Sequence, residues 1–283
     1  MTPAVFAAVL FAAALHATWN AIVKTGDDTI LTTVLVTASA SIIALIGLPF
    51  LPSPSPASWL FIAASTVLQV VYFVLVAHAY RIADMSVAYP VMRGSAPLLV
   101  ALASAGWIGE DLSATAWLGV GVICLGILSI AAGIRHRTNS AGLRLALANA
   151  VVIASYTLID GIGVRRSGAP AAYTLWIFLL TGVSLSGWTV AGWTLAGSRE
   201  VFSRYVRRNW YFGLIGGAGT VSSYGIALWA MTTAPVAVVA ALRETSILFG
   251  IAISGILLHE RLGPTRIIAV CAIAFGAVVL RLS

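Results

Sequence analysis

Of the 283 residues in this chain, 60% are hydrophobic and 9% are charged, and the mean hydropathy is +1.00. A soluble domain carries about 25% charged residues, so this composition excludes an ordinary water-soluble protein. The net charge of +7 could suggest a nucleic-acid partner in a soluble chain. Loop arginines that fix membrane orientation account for it better, and we expect a lipid bilayer and no nucleic acid as the surroundings.

Ten apolar runs follow one another along the sequence, each long enough to cross a bilayer core as a helix of roughly 20 residues. Helices satisfy every backbone N–H and C=O group inside lipid, and the runs lack the alternation of barrel strands. We therefore predict an all-α integral membrane fold with ten transmembrane helices. The predicted spans are Pro3–Val23, Thr29–Leu51, Ala57–Ala79, Met85–Ile108, Ala114–Ile134, Ala141–Gly163, Pro170–Ala196, Asn209–Met231, Pro235–Leu258 and Pro264–Leu282.

Basic residues are distributed unequally between the loops. Eleven lysines and arginines lie in the odd-numbered loops, and three lie on the even-numbered side. The positive-inside rule then predicts that the odd loops are cytoplasmic and that both termini are outside.

The same pattern of residues occurs twice in the chain. The stretch that begins at Met92 aligns without a gap with the stretch that begins at Leu242, so Arg93 matches Arg243 at an offset of 150 residues. A repeat of five helices reverses its orientation in the second copy. Inverted repeats enclose a binding site near the midplane and supply two equivalent rocking states, which is typical of transporters. We predict repeats at residues 1–138 and 139–283 around a central cavity.

Both copies resemble the EamA repeat of the drug/metabolite transporter superfamily. Each has a small-residue helix ("MRGSAPLLVAL", "LRETSILFGI"), a Gly/His-Glu corner ("GED", "HER") and a Gly-containing closing helix ("GVGVICLG", "VCAIAFG"). The resemblance covers the whole chain, and its overall look is nearest to bacterial amino acid exporters of the YddG type. It implies a multi-pass protein of the bacterial inner membrane. One departure is that the family's fourth-helix proline matches Pro97, whereas the second copy has Ile247.

Two arginines lie deep within predicted spans. Arg93 and Arg243 each fall eight residues into their spans, about 12 Å from a helix end, and the two spans enter from opposite faces. An ionisable group at mid-membrane costs about 2.5–3.5 kcal/mol on insertion scales, so both should face the protein interior or a water-filled cavity. Each guanidinium could bind a substrate carboxylate bidentately, or could hold helices together by capping carbonyls or pairing with an acid.

Glu244 directly follows one of these arginines. Neighbours on a helix point about 100° apart, so Glu244 needs a partner other than Arg243. It could bind a substrate ammonium, titrate as a proton-coupling group or form a salt bridge with Arg93. Asp160 is a weaker candidate for an acid within the membrane.

The helix that carries Arg93 also contains Pro90, Gly94 and Pro97. Each proline removes a backbone hydrogen bond, so we predict that this helix is bent or broken. Together with Gly250 of the ninth span these residues form a candidate hinge, although prolines also serve simple helix packing.

Polar and aromatic residues share one face of the first span. His16, Trp19 and Asn20 lie at i, i+3 and i+4, and Tyr156 of the second copy occupies a place similar to that of Trp19. These residues form either a cavity wall or an interfacial aromatic belt. The complete candidate substrate-binding set is Arg93, Arg243, Glu244, Trp19, Asn20, His16, Tyr72, Tyr89, Tyr156, Tyr224, Trp229 and His78.

The sequence has no metal-ligand spacing, catalytic motif or nucleotide-binding loop, so we expect no metal, no cofactor and no catalytic residue. The leading hypothesis is a secondary transporter of small polar metabolites, amino acids first, that exports or facilitates by alternating access. A lipophilic-cation exporter is the alternative, and an integral-membrane enzyme is a second. The sequence is compatible with a monomer and does not determine the oligomeric state.

Overall fold

The computed structural model describes residues 1–25, 28–132, 140–195, 199–257 and 263–283. All regular secondary structure in these residues is helical. The helices are α1 (Pro3–Thr25), α2 (Thr29–Gly47), α3 (Trp59–Ile82), α4 (Met85–Ala103), α5 (Ala114–Ala132), α6 (Ser140–Ser167), α7 (Pro170–Leu195), α8 (Arg199–Met231), α9 (Val236–Arg243), α10 (Ser246–Leu257) and α11 (Pro264–Arg281). Short 3₁₀ turns lie at Leu48–Phe50 and Pro56–Ser58, and a π-helical turn at Ser104–Ile108 extends α4.

Within the described residues, ten helical segments are long and apolar enough to cross a membrane, which confirms the predicted number of spans. The helices α9 and α10 form one of these spans together. Because successive spans alternate in direction, the connections after α1, α3, α5, α7 and α10 share one face, which we call the odd-loop face. The connections after α2, α4, α6 and α8 share the other face with both termini, and we call it the even-loop face.

The ninth span is broken, which corrects the single helix predicted from Pro235 to Leu258. The helix α9 ends at Arg243, and the backbone then changes to i→i−3 hydrogen bonds, from Glu244 N to the Ala241 carbonyl and from Thr245 N to the Leu242 carbonyl, both 3.0 Å. The Thr245 hydroxyl also donates to the Leu242 carbonyl at 2.7 Å. A side chain that bonds to a nearby carbonyl can compete with the backbone hydrogen bonds of a helix, and no proline lies at this break.

The helix α4, in contrast, continues through both of its prolines. The sequence predicts a bend or break at Pro90 and Pro97, but one helix runs from Met85 to Ala103. Membrane helices tolerate proline where neighbouring helices surround the freed carbonyl groups. Both prolines are buried between the helices that pack against α4, and this environment explains the continuity.

The eighth span begins earlier than predicted. The helix α8 starts at Arg199, and the predicted start, Asn209, is a kink with φ −119° and ψ 15°. The Asn209 side chain is buried and donates to the Tyr205 carbonyl at 3.2 Å. The predicted span ends at Ile134, Ala196 and Leu258, and the predicted repeat boundary between residues 138 and 139, lie outside the described residues.

Two glycines allow α5 and α11 to approach closely. A Cβ atom placed on Gly276 would lie 2.6 Å from Ile123 Cγ1 and 3.0 Å from the Gly119 carbonyl oxygen. Gly121, on the same helix as Gly119, would meet nothing within 4 Å. Helix pairs in membranes use such small residues because packing, and not the exclusion of water, drives their association.

We expect Gly276→Val to destabilise the protein by about 1–3 kcal/mol, because the added methyl groups overpack the contact between α5 and α11. Unfolding of the purified protein in detergent measures the change. The matched control is Gly121→Val, which adds the same β-branched side chain in open space. Equal losses for the two variants would contradict the assigned contact.

Candidate functional site

A cavity lies between the two halves of the chain, with an empty volume of about 890 Å³ that includes the part open to solvent. Eight helices contribute to its wall, and α5, α10 and α11 do not. The lining residues are His16, Trp19, Thr33, Val36, Thr37, Ala40, Gln69, Tyr72, Phe73, Arg93, Tyr156, Phe178, Thr181, Gly182, Thr220, Tyr224 and Arg243.

The cavity lies toward the odd-loop face. Its residues on α1, such as His16 and Trp19, belong to the second half of that helix, and those on α2, such as Thr33 and Thr37, belong to the first half. Both sets therefore flank the first connection. The lining residues of α3, α4, α6 and α7 lie near the middle of their helices, so the cavity extends from the midplane toward the odd-loop face.

A polar contact ties several elements together at the even-loop face. Arg165, near the end of α6, donates to the carbonyls of Met231 at 2.7 Å and Ala234 at 3.0 Å, and its Nη2 lies 2.6 Å from Glu110 Oε1. The same Glu110 carboxylate accepts the backbone N–H of Val236 at 3.0 and 3.1 Å. We call this cluster the Glu110 clasp. It holds α6, the segment after α4 and the start of α9 together on the side opposite the cavity.

Arg93 and Glu244 form a buried ion pair between the two halves. Arg93 Nε donates to Glu244 Oε2 at 2.9 Å, and Nη2 lies 2.8 Å from Oε1 without an aligned hydrogen bond in the described part of the chain. The two side chains are 9% and 6% exposed. Of the roles open to Glu244 from the sequence, the structure therefore shows the salt bridge with Arg93. Glu244 itself does not line the cavity.

Arg243 points in a different direction from Glu244. Its guanidinium carbon lies 4.9 Å from the centroid of the Tyr224 ring, and the side chain lines the cavity. Within the described residues Arg243 makes no hydrogen bond to protein and no ion pair, since the two ion pairs there join Arg93 with Glu244 and Arg165 with Glu110. A guanidinium has five donors, so Arg243 offers the cavity a positive charge with unused hydrogen-bonding capacity.

Aromatic rings form much of the remaining wall. Tyr72 and Tyr156 meet edge to face with centroids 6.1 Å apart, and Phe178 meets Tyr224 at 6.0 Å. Trp19 Nε1 donates to His16 Nδ1 at 3.3 Å, which leaves any proton on a neutral His16 at Nε2. These contacts fix the rings around the open space.

Seven of the predicted substrate-binding residues line this cavity: His16, Trp19, Tyr72, Arg93, Tyr156, Tyr224 and Arg243. The other five do not. Glu244 forms its ion pair with Arg93 and does not reach the cavity surface. Asn20 donates from Nδ2 to the His16 carbonyl of its own helix at 2.7 Å. His78 is exposed with its Nδ1 2.8 Å from the Val74 carbonyl, Trp229 is 43% exposed, and Tyr89 is partly buried away from the wall.

The candidate hinge residues differ in their surroundings. A Cβ atom on Gly94 would meet Leu128 and Ile127 at 3.0–3.2 Å, so Gly94 allows α4 to pack closely on α5. A Cβ atom on Gly250 would meet nothing within 4 Å, and close packing does not account for that glycine.

The sequence analysis does not predict several residues of the cavity wall, among them Thr33, Thr37, Phe73, Phe178 and Thr181. Threonines and phenylalanines are ordinary in membrane helices, so nothing in their type separates wall from packing. The Thr181 hydroxyl is buried and has no hydrogen-bond partner in the described residues. A cluster of three or more His, Cys, Asp or Glu side chains, as a metal site would need, does not occur in the part of the chain that the structure describes.

A family model, the EamA-like transporter family, matches residues 3–132 and again residues 140–282. The chain belongs to this family. Two matches over ten spans give five spans to each copy, so the second copy is inverted relative to the first. A protein of the EamA-like family is a membrane transporter.

Comparison with solved structures agrees with this fold. One crystal structure superposes with a TM-score of 0.74, and the match covers 100% of this chain and 99% of the other. The sequence identity is 18%, so the match is evidence for the fold alone. None of the curated proteins matches the chain.

Proposed function

We propose that this EamA-like protein is a secondary transporter of small metabolites that carry a carboxylate, with amino acids as the leading class, as in exporters of the YddG type. The observation that carries the proposal is the Arg243 guanidinium, which lines the cavity beside Tyr224 and has no acidic partner among the described residues. A guanidinium binds a carboxylate through two parallel hydrogen bonds, and the low dielectric of a membrane cavity strengthens them.

The charge of the cavity wall favours this substrate class over lipophilic cations. The described lining residues include two arginines and no aspartate or glutamate. Glu244 neutralises Arg93, which leaves Arg243 as the uncompensated charge. A cationic drug would meet this charge with like sign, so the wall discriminates against the multidrug alternative.

The rest of the wall suits the remainder of an amino acid. The faces of Tyr72 and Tyr156 can hold an ammonium group by cation–π contact, and the unpaired Thr181 hydroxyl and the Gln69 side chain supply acceptors. Aromatic rings also tolerate substrate side chains of different shape. We place the substrate carboxylate at Arg243 and the ammonium toward these groups.

Alternating access follows from the two inverted copies. In the conformation described, the cavity lies toward the odd-loop face while the Glu110 clasp closes the even-loop face. We propose that α4 and the broken ninth span move against the remaining helices, with Gly250 as the flexible point. Pro90, Gly94 and Pro97 belong to this moving helix, and the continuity of α4 favours its movement as one piece. Because the sequence carries no nucleotide-binding motif, gradients supply the energy.

Counterflow into proteoliposomes tests the proposed function. We expect exchange of amino acids, and we expect at least tenfold weaker exchange of their amides and decarboxylated amines, because these analogues lack the group that Arg243 binds. Sugars and lipophilic cations complete the panel. Exchange restricted to cations would overturn the proposal in favour of a cation exporter, and recovery of chemically altered substrate would favour an enzyme.

A further inference from the structure

A second carboxylate lies behind the cavity wall, and neither the ion pair nor the substrate contacts use it. Asp160, on α6, is completely buried. Its Oδ2 accepts a 2.5 Å hydrogen bond from the Tyr224 hydroxyl and its Oδ1 accepts one of 3.1 Å from Tyr173, and the Ser65 side chain faces the carboxylate. No lysine, arginine or histidine of the described chain lies within ion-pair distance of it.

The partners of Asp160 accommodate either protonation state. A hydroxyl group can donate to a carboxylate and can also accept from a carboxylic acid, so Tyr173 and Tyr224 satisfy the group in both forms. A buried carboxylate without a counter-ion is costly, and taking up a proton removes that cost. Asp160 therefore has the surroundings of a group that gains and loses a proton.

Glu244 has the opposite surroundings. Its two oxygens face a guanidinium, which only donates, and protonation would leave the Arg93 charge buried without a partner. Of the two buried acids near the cavity, Asp160 is therefore the one suited to proton exchange.

Asp160 is linked to the cavity through one aromatic ring. Tyr224 bonds to Asp160 with its hydroxyl, while its ring lies under the Arg243 guanidinium, 4.9 Å from centroid to carbon. The titratable or charged groups that face Asp160 are Tyr173 from α7, Tyr224 from α8 and Arg243 from the ninth span, and Tyr156 lies on its own helix. The helix α3 contributes Ser65, which also accepts from Gln69 Nε2 at 3.2 Å.

We propose that Asp160 is a proton-binding site whose occupancy is coupled to the binding of a carboxylate-bearing substrate at Arg243; this inference rests on the proposed function. When Asp160 is ionised, its negative charge competes with the substrate carboxylate for the field of Arg243. When it is protonated, the positive charge of the cavity is uncompensated and the substrate binds more tightly. Linkage then requires that the bound substrate favours protonation of Asp160 to the same degree.

The test is the substrate affinity of the wild type and of Asp160→Asn across a pH series, measured by counterflow with the amino acid that the panel identifies. We expect wild-type affinity to fall about tenfold as pH rises through the titration of Asp160, within the usual range of coupling between sites. Asp160→Asn mimics the protonated side chain, so its affinity should stay near the wild-type low-pH value at every pH. A wild-type slope that survives in Asp160→Asn would overturn the inference, as would a wild type without a slope.

Two further variants separate the sources of a pH effect. His16→Gln removes the titratable imidazole of the cavity wall and should keep the slope, and a slope that disappears there would assign the proton to His16 and overturn the proposal. Tyr224→Phe keeps the ring under Arg243 but removes the short hydrogen bond to Asp160. It should shift the midpoint of the slope, and it replaces Asp160→Asn if that variant does not fold.

Infrared spectroscopy distinguishes failure of this inference from failure of the proposed function. If no amino acid is exchanged at any pH, the proposed function is wrong. Infrared spectra recorded without substrate then test whether Asp160 binds a proton. We expect a carboxylic-acid C=O band that appears in the wild type as pH falls and is missing in Asp160→Asn. The same band in both proteins would overturn the assignment to Asp160.

Discussion

Replacing Arg93 with alanine is expected to destabilise the protein by about 3–5 kcal/mol, because the change leaves the Glu244 carboxylate buried without its partner. The pair is 9% and 6% exposed and joins α4 to the ninth span. Unfolding of the purified protein in detergent measures the loss. Glu244→Ala should cause a loss of similar size for the converse reason.

The double variant Arg93→Met with Glu244→Leu is the control that identifies the pair as the cause. Replacing both members of a buried ion pair by apolar groups of similar volume is often close to neutral, so the double variant should be more stable than either single one. A double variant whose loss equals the sum of the single losses would show that the two side chains act independently and would contradict the pair.

Replacing Arg243 with glutamine is expected to weaken substrate binding by roughly ten- to a hundredfold, because hydrogen bonds to a charged group contribute about 1.5–3 kcal/mol. Stability should change by less than 1 kcal/mol or so, since only the contact with the Tyr224 ring is lost. The counterflow assay gives the affinity, and unfolding in detergent gives the stability. Substitution of Arg93 is therefore expected to lower stability, whereas substitution of Arg243 is expected to lower substrate affinity.

Matched ligands and variants make this test specific for the carboxylate. Arg243→Lys keeps the charge without the planar fork and should lose less affinity than Arg243→Gln. An amino acid amide should bind equally weakly to the wild type and to Arg243→Gln, because the interaction is already missing from the ligand. Unchanged amino acid affinity in Arg243→Gln would refute the placement of the carboxylate.

Much of the architecture could be predicted from the sequence, because the bilayer imposes helices of known length and makes buried charge rare. The ten spans and the repeated arginines follow from those two constraints. The different surroundings of Arg93 and Arg243 do not follow from the sequence, because they depend on which side chains lie opposite each arginine in the folded protein. Among the residues that the structure describes, Arg93 has a carboxylate within ion-pair distance and Arg243 does not, although the two arginines match in the repeat.

The break after Arg243 could not be predicted for a related reason. Sequence rules assign breaks to proline, and they point to α4, where the packing keeps the helix intact. In the ninth span the break lies at a threonine that bonds to a nearby backbone carbonyl, and no proline marks it. The cavity wall shows the same limit, because threonine and phenylalanine become wall residues only through the packing of eight helices.

Two of the polar contacts between the halves, the Glu110 clasp and the Arg93–Glu244 pair, differ in how far their side chains are exposed. In the Glu110 clasp the Arg165 side chain is 32% exposed and the Glu110 side chain 9%, so water can reach the arginine side of these bonds. The side chains of Arg93 and Glu244 are 9% and 6% exposed, and separating two charges that are both buried is far more expensive. We therefore propose that the Arg93–Glu244 pair stays closed through the transport cycle while the Glu110 clasp opens.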